Sequence, residues 1–477
     1  MEYLYRYRSI DKLFEYKELE NLEIYFAKLD ELNDQMEDYM NIVWQGDEIA
    51  FQGLLKHYLY VLTNLCCDVS IKEKRGKIDT EHLLAFLSID ALDVPEFKTV
   101  FKSIYYEFFS FQCIADIPKK LAQSNKKFTV DEILLILKSI HLYAYLVINT
   151  EIRKFVWKIN PLEEKKYNEI YNEVKTWRGS LRTIDLLING LYSKEDVLNE
   201  INKFNYLYQF SKIYMNNMYK DKDTYNISIL IFDFPELYIK NIKKLLYKNS
   251  CVACFSATFR NEPMWAHYAN NENGICLKYK IEKENNSMYI NLNSLSGVSC
   301  SDKGIEINRK FHKHEFNKII YSNNYPEIDF FTSLGCVPLA VIDKFWLANY
   351  EQTKFSCCLK KYNNDKEWMV NYHKKAKDYI CTKSKNWEYE QEYRIFKREA
   401  FFTIYEDKQN RIANYKFEDL DAIIFGRKVS IEDKRKVVRI INKYCLENKV
   451  KPCNFYDLYY STISKQLEIK PCKYFVK

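Results

Sequence analysis

The feature that most constrains this chain is a change in the period of its apolar residues. Near both ends, short runs read as strands. Examples are Tyr3-Leu4-Tyr5-Arg6-Tyr7-Arg8, Glu23-Ile24-Tyr25-Phe26-Ala27, Val252-Ala253-Cys254-Phe255-Ser256 and Ala422-Ile423-Ile424-Phe425. From about Glu37 to Lys248 the apolar residues recur at three and four instead, as in Leu54, Leu55, Tyr58, Leu59 and Leu62. Period two places alternate side chains on the two faces of a strand, and a period near 3.6 builds one face of a helix. The expected fold class is therefore α+β, with a sheet assembled from both chain ends and a large all-α insertion looping out between them. The expected boundaries are 1–45 and 249–477 for the two parts of the core and 46–248 for the helical domain.

Local signals support the helical reading. Thr129-Val130-Asp131-Glu132 and Ser193-Lys194-Glu195-Asp196 are capping sequences, and Pro161 suits the first turn of another helix. Roughly seven to nine helices fit this stretch, and no fixed-period repeat runs through it. It reads as a partner-binding, regulatory or lid domain, alternatives that the residues leave open.

Composition excludes several classes. With 10 Gly and 9 Pro in 477 residues, and charges of mixed sign, the chain is neither low-complexity nor disordered. The net charge of +7 is compatible with an anionic substrate. The 14 Cys are scattered or adjacent, as in Cys66-Cys67, so reduced thiols in a cytoplasmic protein are expected rather than disulfides. The most apolar run, Ile133 to Ile148, is interrupted by Lys138, Ser139 and His141, and no membrane segment is expected. No metal is expected either. Cys251 and Cys254 have the spacing of a zinc knuckle but no second pair, and on a strand they face opposite ways. His312 and His314 beside Glu315 are not read as a site.

Late in the chain, Trp387-Glu388-Tyr389-Glu390-Gln391-Glu392-Tyr393-Arg394-Ile395 alternates strictly. As a strand it would aim Glu388, Glu390, Glu392 and Arg394 at one face. Set beside Arg6 and Arg8 on the first strand, and Ser256 and Thr258 on a middle one, it resembles the Arg-Ser-Glu class of ADP-ribosyltransferases. Six motifs carry a broader resemblance: Leu4-Tyr5-Arg6-Tyr7-Arg8-Ser9, Leu32-Asn33-Asp34 with Glu37, Cys254-Phe255-Ser256, Met264-Trp265-Ala266-His267-Tyr268 with Gly274, Trp387 with Tyr389-Glu390 and Glu392-Tyr393-Arg394, and Ile423-Ile424-Phe425-Gly426. With them the chain resembles the bacterial domain-of-unknown-function family 2971. The resemblance spans roughly residues 1–40 and 250–470. Gln35-Met36 departs from the Pro-Phe step usual in that family, and the long helical insertion is this chain's own.

The transferase resemblance implies NAD as substrate, in a split ADP-ribosyltransferase-like sheet. Cleaving the nicotinamide–ribose bond builds positive charge on the ribose, which a carboxylate stabilises. Glu392 is the expected catalytic carboxylate and Glu390 the group that orients or deprotonates an acceptor. Arg6, with Arg8 nearby, is expected on the NAD phosphates, using its fork of donors. Ser256 and Thr258 would shape the pocket, and Tyr25, His267 or Tyr268 would line it or stack on nicotinamide. The acceptor would be protein or nucleic acid, and a toxin or phage-defence effector is the setting such an activity suggests. Two other classes stand beside this one: a non-catalytic nucleotide- or partner-binding module, and a metal-dependent nuclease using Lys383 or Lys385 near Glu390. The bland alternative for Glu390, Glu392 and Arg394 is a solvated strand face with ion pairs contributing ~0–1 kcal/mol.

Overall fold

A computed structural model of the chain describes residues 2–71, 78–80, 83, 95–156, 179–218, 226–301, 304–362, 365–399 and 404–472. The expected Pro161 turn lies outside these residues. The class is α+β, and the chain divides into two compact units. One comprises residues 1–39, 249–326 and 377–477; the other comprises 40–248 and 327–376. The helical unit thus takes in a C-terminal segment that the sequence reading gave to the sheet. The reason is pairing and packing. Glu327–Asp329 pairs in parallel with Asn41–Trp44, Phe330 stacks on Trp44 at 5.3 Å, and Trp346 lies 4.2 Å from the His57 ring.

The helical unit holds the helices Glu48–Ile71, Pro95–Ser110, Gln112–Gln123, Val130–Val156, Gly179–Ile188, Lys194–Met218 and Phe234–Ile242. It is not all-α, because a three-stranded sheet built on Asn41–Trp44 belongs to it. Gly53 shows how tightly it closes: a Cβ there would meet the Trp346 carbonyl oxygen at 1.9 Å. The capping sequences work as expected. The Thr129 amide donates to Glu132 Oε2 at 2.8 Å, and the Ser193 amide to Asp196 Oδ2 at 2.8 Å. One helical span, Val130–Phe155, is long and apolar enough to cross a membrane, but 61% of its window is buried inside the fold. His141, at mid-helix, lies between the Tyr58 hydroxyl at 2.7 Å and the Leu230 carbonyl at 2.8 Å.

The other unit is built on a twelve-stranded sheet drawn from both ends of the chain. Six of its strands pair in a closed cycle: Glu2–Ser9, Ser250–Ser256, Glu392–Arg398, Gly304–Lys318, Ser287–Ser301 and Gly274–Glu284, back to Glu2–Ser9. Every pairing in the cycle is antiparallel. One side of these strands carries Leu4, Phe255, Leu277, Tyr279, Phe316 and Ile395 into the main core. The other side carries Tyr7 and Cys276, which pack with Ile424 of the adjoining strand Leu420–Phe425 and with Trp265 of the short helix Glu262–Tyr268. Asn261 caps that helix, and Gly274 begins the next strand so close to it that a Cβ would meet the Ala269 Cα at 2.8 Å.

Candidate functional site

The stretch expected to run as one strand from Trp387 does not. Lys385–Glu390 is a 3-10 turn, Gln391 has φ 46°, and the strand begins at Glu392. Side chains two apart on a strand share a face, but Glu390 reaches the same place by another route. The left-handed residue reverses the chain just before the strand, bringing the Glu390 carboxylate back over the first rung. Strand registry sets the rest. Ser256 is the Cα partner of both Tyr5 and Glu392, so these three sit in one row on one face. The Ser256 hydroxyl donates to the Glu390 carbonyl at 2.7 Å, tying the turn to the strand.

Around this row lies a buried charge cluster. Arg394 donates from Nε to Glu392 Oε1 at 2.6 Å, from Nη2 to Glu392 Oε2 at 3.1 Å, and from Nη2 to Glu37 Oε1 at 2.6 Å. Lys383 Nζ lies 2.6 Å from Glu390 Oε2, 3.1 Å from Glu37 Oε1 and 3.2 Å from Glu392 Oε2. The Tyr268 hydroxyl donates to the other Glu390 oxygen at 2.6 Å, and the Glu392 amide donates to the Tyr321 hydroxyl at 2.8 Å. Glu390 is 2% exposed, Glu392 3%, Lys383 5% and Arg394 0%. At that burial an unpaired charge costs several kcal/mol, so these contacts are conditions of the fold and not surface ion pairs.

Three carboxyl groups meet two cations here, and the imbalance separates the two glutamates. Burial pushes the Glu392 carboxyl up, but Arg394 and Lys383 outweigh it and hold it down at about 2. Burial also pushes Glu390 up; Lys383 pulls it back, Glu392 raises it again, and it ends above the usual carboxylate range. Burial, then the Glu390 charge, raises the Tyr268 hydroxyl. Adjacent carboxyls driven apart in this way are the usual arrangement of an acid–base pair. The rim is aromatic: the Trp387 ring lies 4.9 Å from Lys383 Nζ, and the exposed His267 sits between Trp387 and Tyr268 at 6.3 and 6.4 Å.

The structure gathers Glu390, Glu392, Ser256 and Tyr268, with His267 at the edge. It does not bring Arg6, Arg8 or Tyr25 to them, and Thr258 meets them only through its backbone amide, which donates to the Ser256 hydroxyl at 3.3 Å. Arg6 lies over the Phe255 ring at 5.8 Å and donates to the Tyr25 carbonyl at 3.0 Å. Phe255 alternates with Ser256, so Arg6 is on the opposite face of the sheet from Glu392. Arg8 is paired with Glu18. The Tyr25 hydroxyl donates to Glu31 at 3.1 Å. The strand ends at Ser256, and Thr258 sits in the following turn, where its hydroxyl accepts from the Arg260 amide at 3.0 Å. Asp34 caps a turn, accepting from the Met36 amide at 3.0 Å, rather than starting a helix.

Sequence reasoning missed Glu37 and Tyr321 as members of the site and gave Lys383 only a faint part. A signal for Glu37 existed, since it closes the Leu32-Asn33-Asp34 motif; Tyr321 offered none. Among the described residues, no group of three or more His, Cys, Asp or Glu is arranged to hold a metal ion. Cys251 and Cys254 face opposite ways, and Cys254 shares the cluster's face, where burial and then the Glu392 charge raise its thiol.

Fold and site together define an α+β protein whose antiparallel strand cycle carries a buried Glu–Lys–Arg cluster on its outer row. Residues 264–395 match the family described as "Protein of unknown function (DUF2971)". The match contains Tyr268, Lys383, Glu390, Glu392 and Arg394, while Glu37 and Ser256 lie outside it. No curated protein and no solved structure matches the chain.

Proposed function

We propose that this chain is an NAD-consuming enzyme of the ADP-ribosyl-transferring kind, in which Glu390 is the working carboxylate and Glu392 holds the frame around it. The observation that carries this reading is the division between the two glutamates. Both Glu392 oxygens are taken by Arg394. Glu390 is held between Lys383 and the Tyr268 hydroxyl, next to an aromatic rim, with its carboxyl shifted toward neutrality. A carboxyl raised in this way is better suited to taking up a proton than an ordinary one.

In the proposed step the bond between the ribose C1′ and the nicotinamide nitrogen breaks, and nicotinamide leaves with the bonding electrons. An acceptor O–H or N–H then forms the new bond to C1′, and its proton passes to Glu390. The carboxylates offset the positive charge on the ribose as it develops. Arg6 has no part in this version of the site. The acceptor is proposed to be protein or nucleic acid, as for the class it resembles.

One observation favours a second reading. All three glutamates are occupied by internal partners, as in a network that only fixes a fold. On that reading the unit binds a nucleotide or partner without turnover. Nicotinamide release from NAD by the purified full chain, with cell lysate as acceptor, separates the two. Release by the wild type that is reduced at least a hundredfold in Glu390→Gln supports the transferase. Equal release by that variant overturns the assignment to Glu390. No release, with NAD leaving the melting temperature unchanged, overturns the NAD reading, and a phosphodiesterase activity lost in chelator would replace it with the nuclease.

A further inference from the structure

A second cluster of polar side chains lies on the opposite, inner face of the strand cycle, and the carboxylate site makes no use of it. The strands Glu392–Arg398 and Gly304–Lys318 pair at only two positions, Tyr393 with Lys318 and Arg394 with Asn317. Both strands continue past that point without pairing to each other. Extending the register would set Lys397 opposite His314, so the seam is split where these two residues face inward. Lys397 is 6% exposed, and its Nζ has no hydrogen-bond partner. The Phe26 ring lies 3.9 Å from Nζ.

His314, on the facing strand, lies close enough to feel the charge of this amine. Ser294, fully buried, places its hydroxyl 3.0 Å from His314 Nε2 and 3.5 Å from His312 Nε2. The two imidazole rings lie 4.3 Å apart. Arg309, exposed at the outer end, donates to the Ile412 carbonyl and adds a repulsive charge. The depth runs from exposed Arg309 through half-buried His312 and His314 to buried Ser294 and Lys397. Burial, and then Arg309, lowers the Lys397 amine to about 7, with the Cys251 thiol opposing them. A buried ammonium without an acid is costly, and a bound anion would remove that cost.

We propose that this split seam is an anion site, with Lys397 Nζ as its floor and Ser294, His312 and His314 as its wall, taking one small oxyanion group, a phosphate or a carboxylate. The site is separate from the Glu390 cluster and does not depend on its function. Oxyanions suit it because the Lys397 ammonium has no other hydrogen-bond partner and the Ser294 hydroxyl and His314 stand on the neighbouring strands, and charge-assisted hydrogen bonds are the strongest that an ammonium makes.

The test is a titration of the full chain with sodium phosphate and, separately, sodium acetate, against sodium chloride at matched ionic strength, followed by calorimetry and melting temperature. A saturable rise with either oxyanion, absent with chloride, is expected. A response to phosphate alone identifies a phosphate group, to acetate alone a carboxylate, and to both a general oxyanion site. Lys397→Met should weaken binding by roughly tenfold or more. It keeps the side-chain length and removes an unpartnered buried amine, so folding should survive, as circular dichroism would verify. If it does not, Ser294→Ala and His312→Asn decide, each expected to weaken binding severalfold. No saturable response beyond chloride, or wild-type affinity in Lys397→Met or in both of the other variants, overturns the proposal.

Discussion

At the scale of single residues, Arg394 is the most consequential side chain in the sheet unit. It is fully buried and donates to two glutamates. Replacing it with Met should leave Glu392 and Glu37 without that partner and cost about 3–5 kcal/mol, read from urea unfolding. Adding Glu392→Gln to Arg394→Met should cost less than the sum of the two changes, since the second removes a charge that the first left exposed to its own burial. Additive costs would show that the pair is not coupled. Glu392 also sets an acid limit. Its carboxyl is held down at about 2 against an ordinary 4.5, so the folded state binds this proton less readily than the unfolded chain. That stabilisation is complete above about pH 4.5 and is lost as the pH falls from there toward 2. Glu390 is shifted the other way, so its contribution has the opposite sign, present at low pH and lost as the pH rises through its raised value. In Glu392→Gln the loss of stability between pH 4.5 and 2 should shrink; an unchanged acid limb would contradict the ion-pair account.

At the scale of elements, the turn before the Glu392 strand decides the geometry of the site. Gln391 occupies the left-handed region with φ 46°, which most side chains adopt only at a cost. Its amide donates to the Glu388 carbonyl at 3.3 Å and its carbonyl accepts from the Ala257 amide at 3.0 Å, so the surroundings hold it there. Gln391→Gly should therefore be within about 1 kcal/mol of the wild type, whereas the β-branched Gln391→Val should cost about 1–3 kcal/mol. Comparing the two by thermal unfolding checks this, and equal stabilities would show that the turn carries no strain. If Glu390 works as proposed, Gln391→Val should also lower nicotinamide release, because the same backbone reversal aims Glu390 at Lys383.

At the scale of the whole molecule, each unit has its own determinants. In the helical unit, two buried histidines carry a pH dependence. Burial, with Lys56 adding to it, lowers His57 to about 3, and burial lowers His141 to about 4. Both are neutral in the fold and protonate more readily in the unfolded chain. Their stabilisation is therefore complete above about pH 6.5 and lost as the pH falls below it, by up to about 1.4 kcal/mol per pH unit for each. Hydrogen exchange of residues 48–71 and 130–156 should quicken between pH 6.5 and 5, and His141→Gln should reduce that slope. Trp346→Ala should destabilise the same unit by about 3–5 kcal/mol, because Trp346 is buried against His57 and Phe330. Exchange confined to residues 40–248 and 327–376 would report it; no quickening there would contradict the assignment of 327–376 to this unit.

What the sequence determined by itself is the part of the fold that rests on period and local chemistry. The strands Glu2–Ser9, Ser250–Ser256, Gly274–Glu284 and Leu420–Phe425, the capped helices from Val130, Lys194 and Ile431, and the helical middle all follow from side-chain spacing and short-range hydrogen bonds. The joining of both chain ends into one sheet was legible for the same reason. Alternation misled where a backbone conformation intervened: Trp387 to Glu390 has the pattern of a strand, yet one left-handed residue turns it into a 3-10 segment. The long strands Ser287–Ser301 and Gly304–Lys318 were missed because their polar residues hide the period. The site was half visible. Glu390, Glu392, Ser256 and Tyr268 lie in recognisable motifs, but only the sheet registry could decide that Arg6 faces away from them. The association of Glu37 with Lys383 and Arg394 spans more than three hundred residues of chain, and local spacing contains no information about it. Tertiary structure decided it for a physical reason: once Glu392 is buried, its charge requires cations, and those cations bring in the remaining carboxylates.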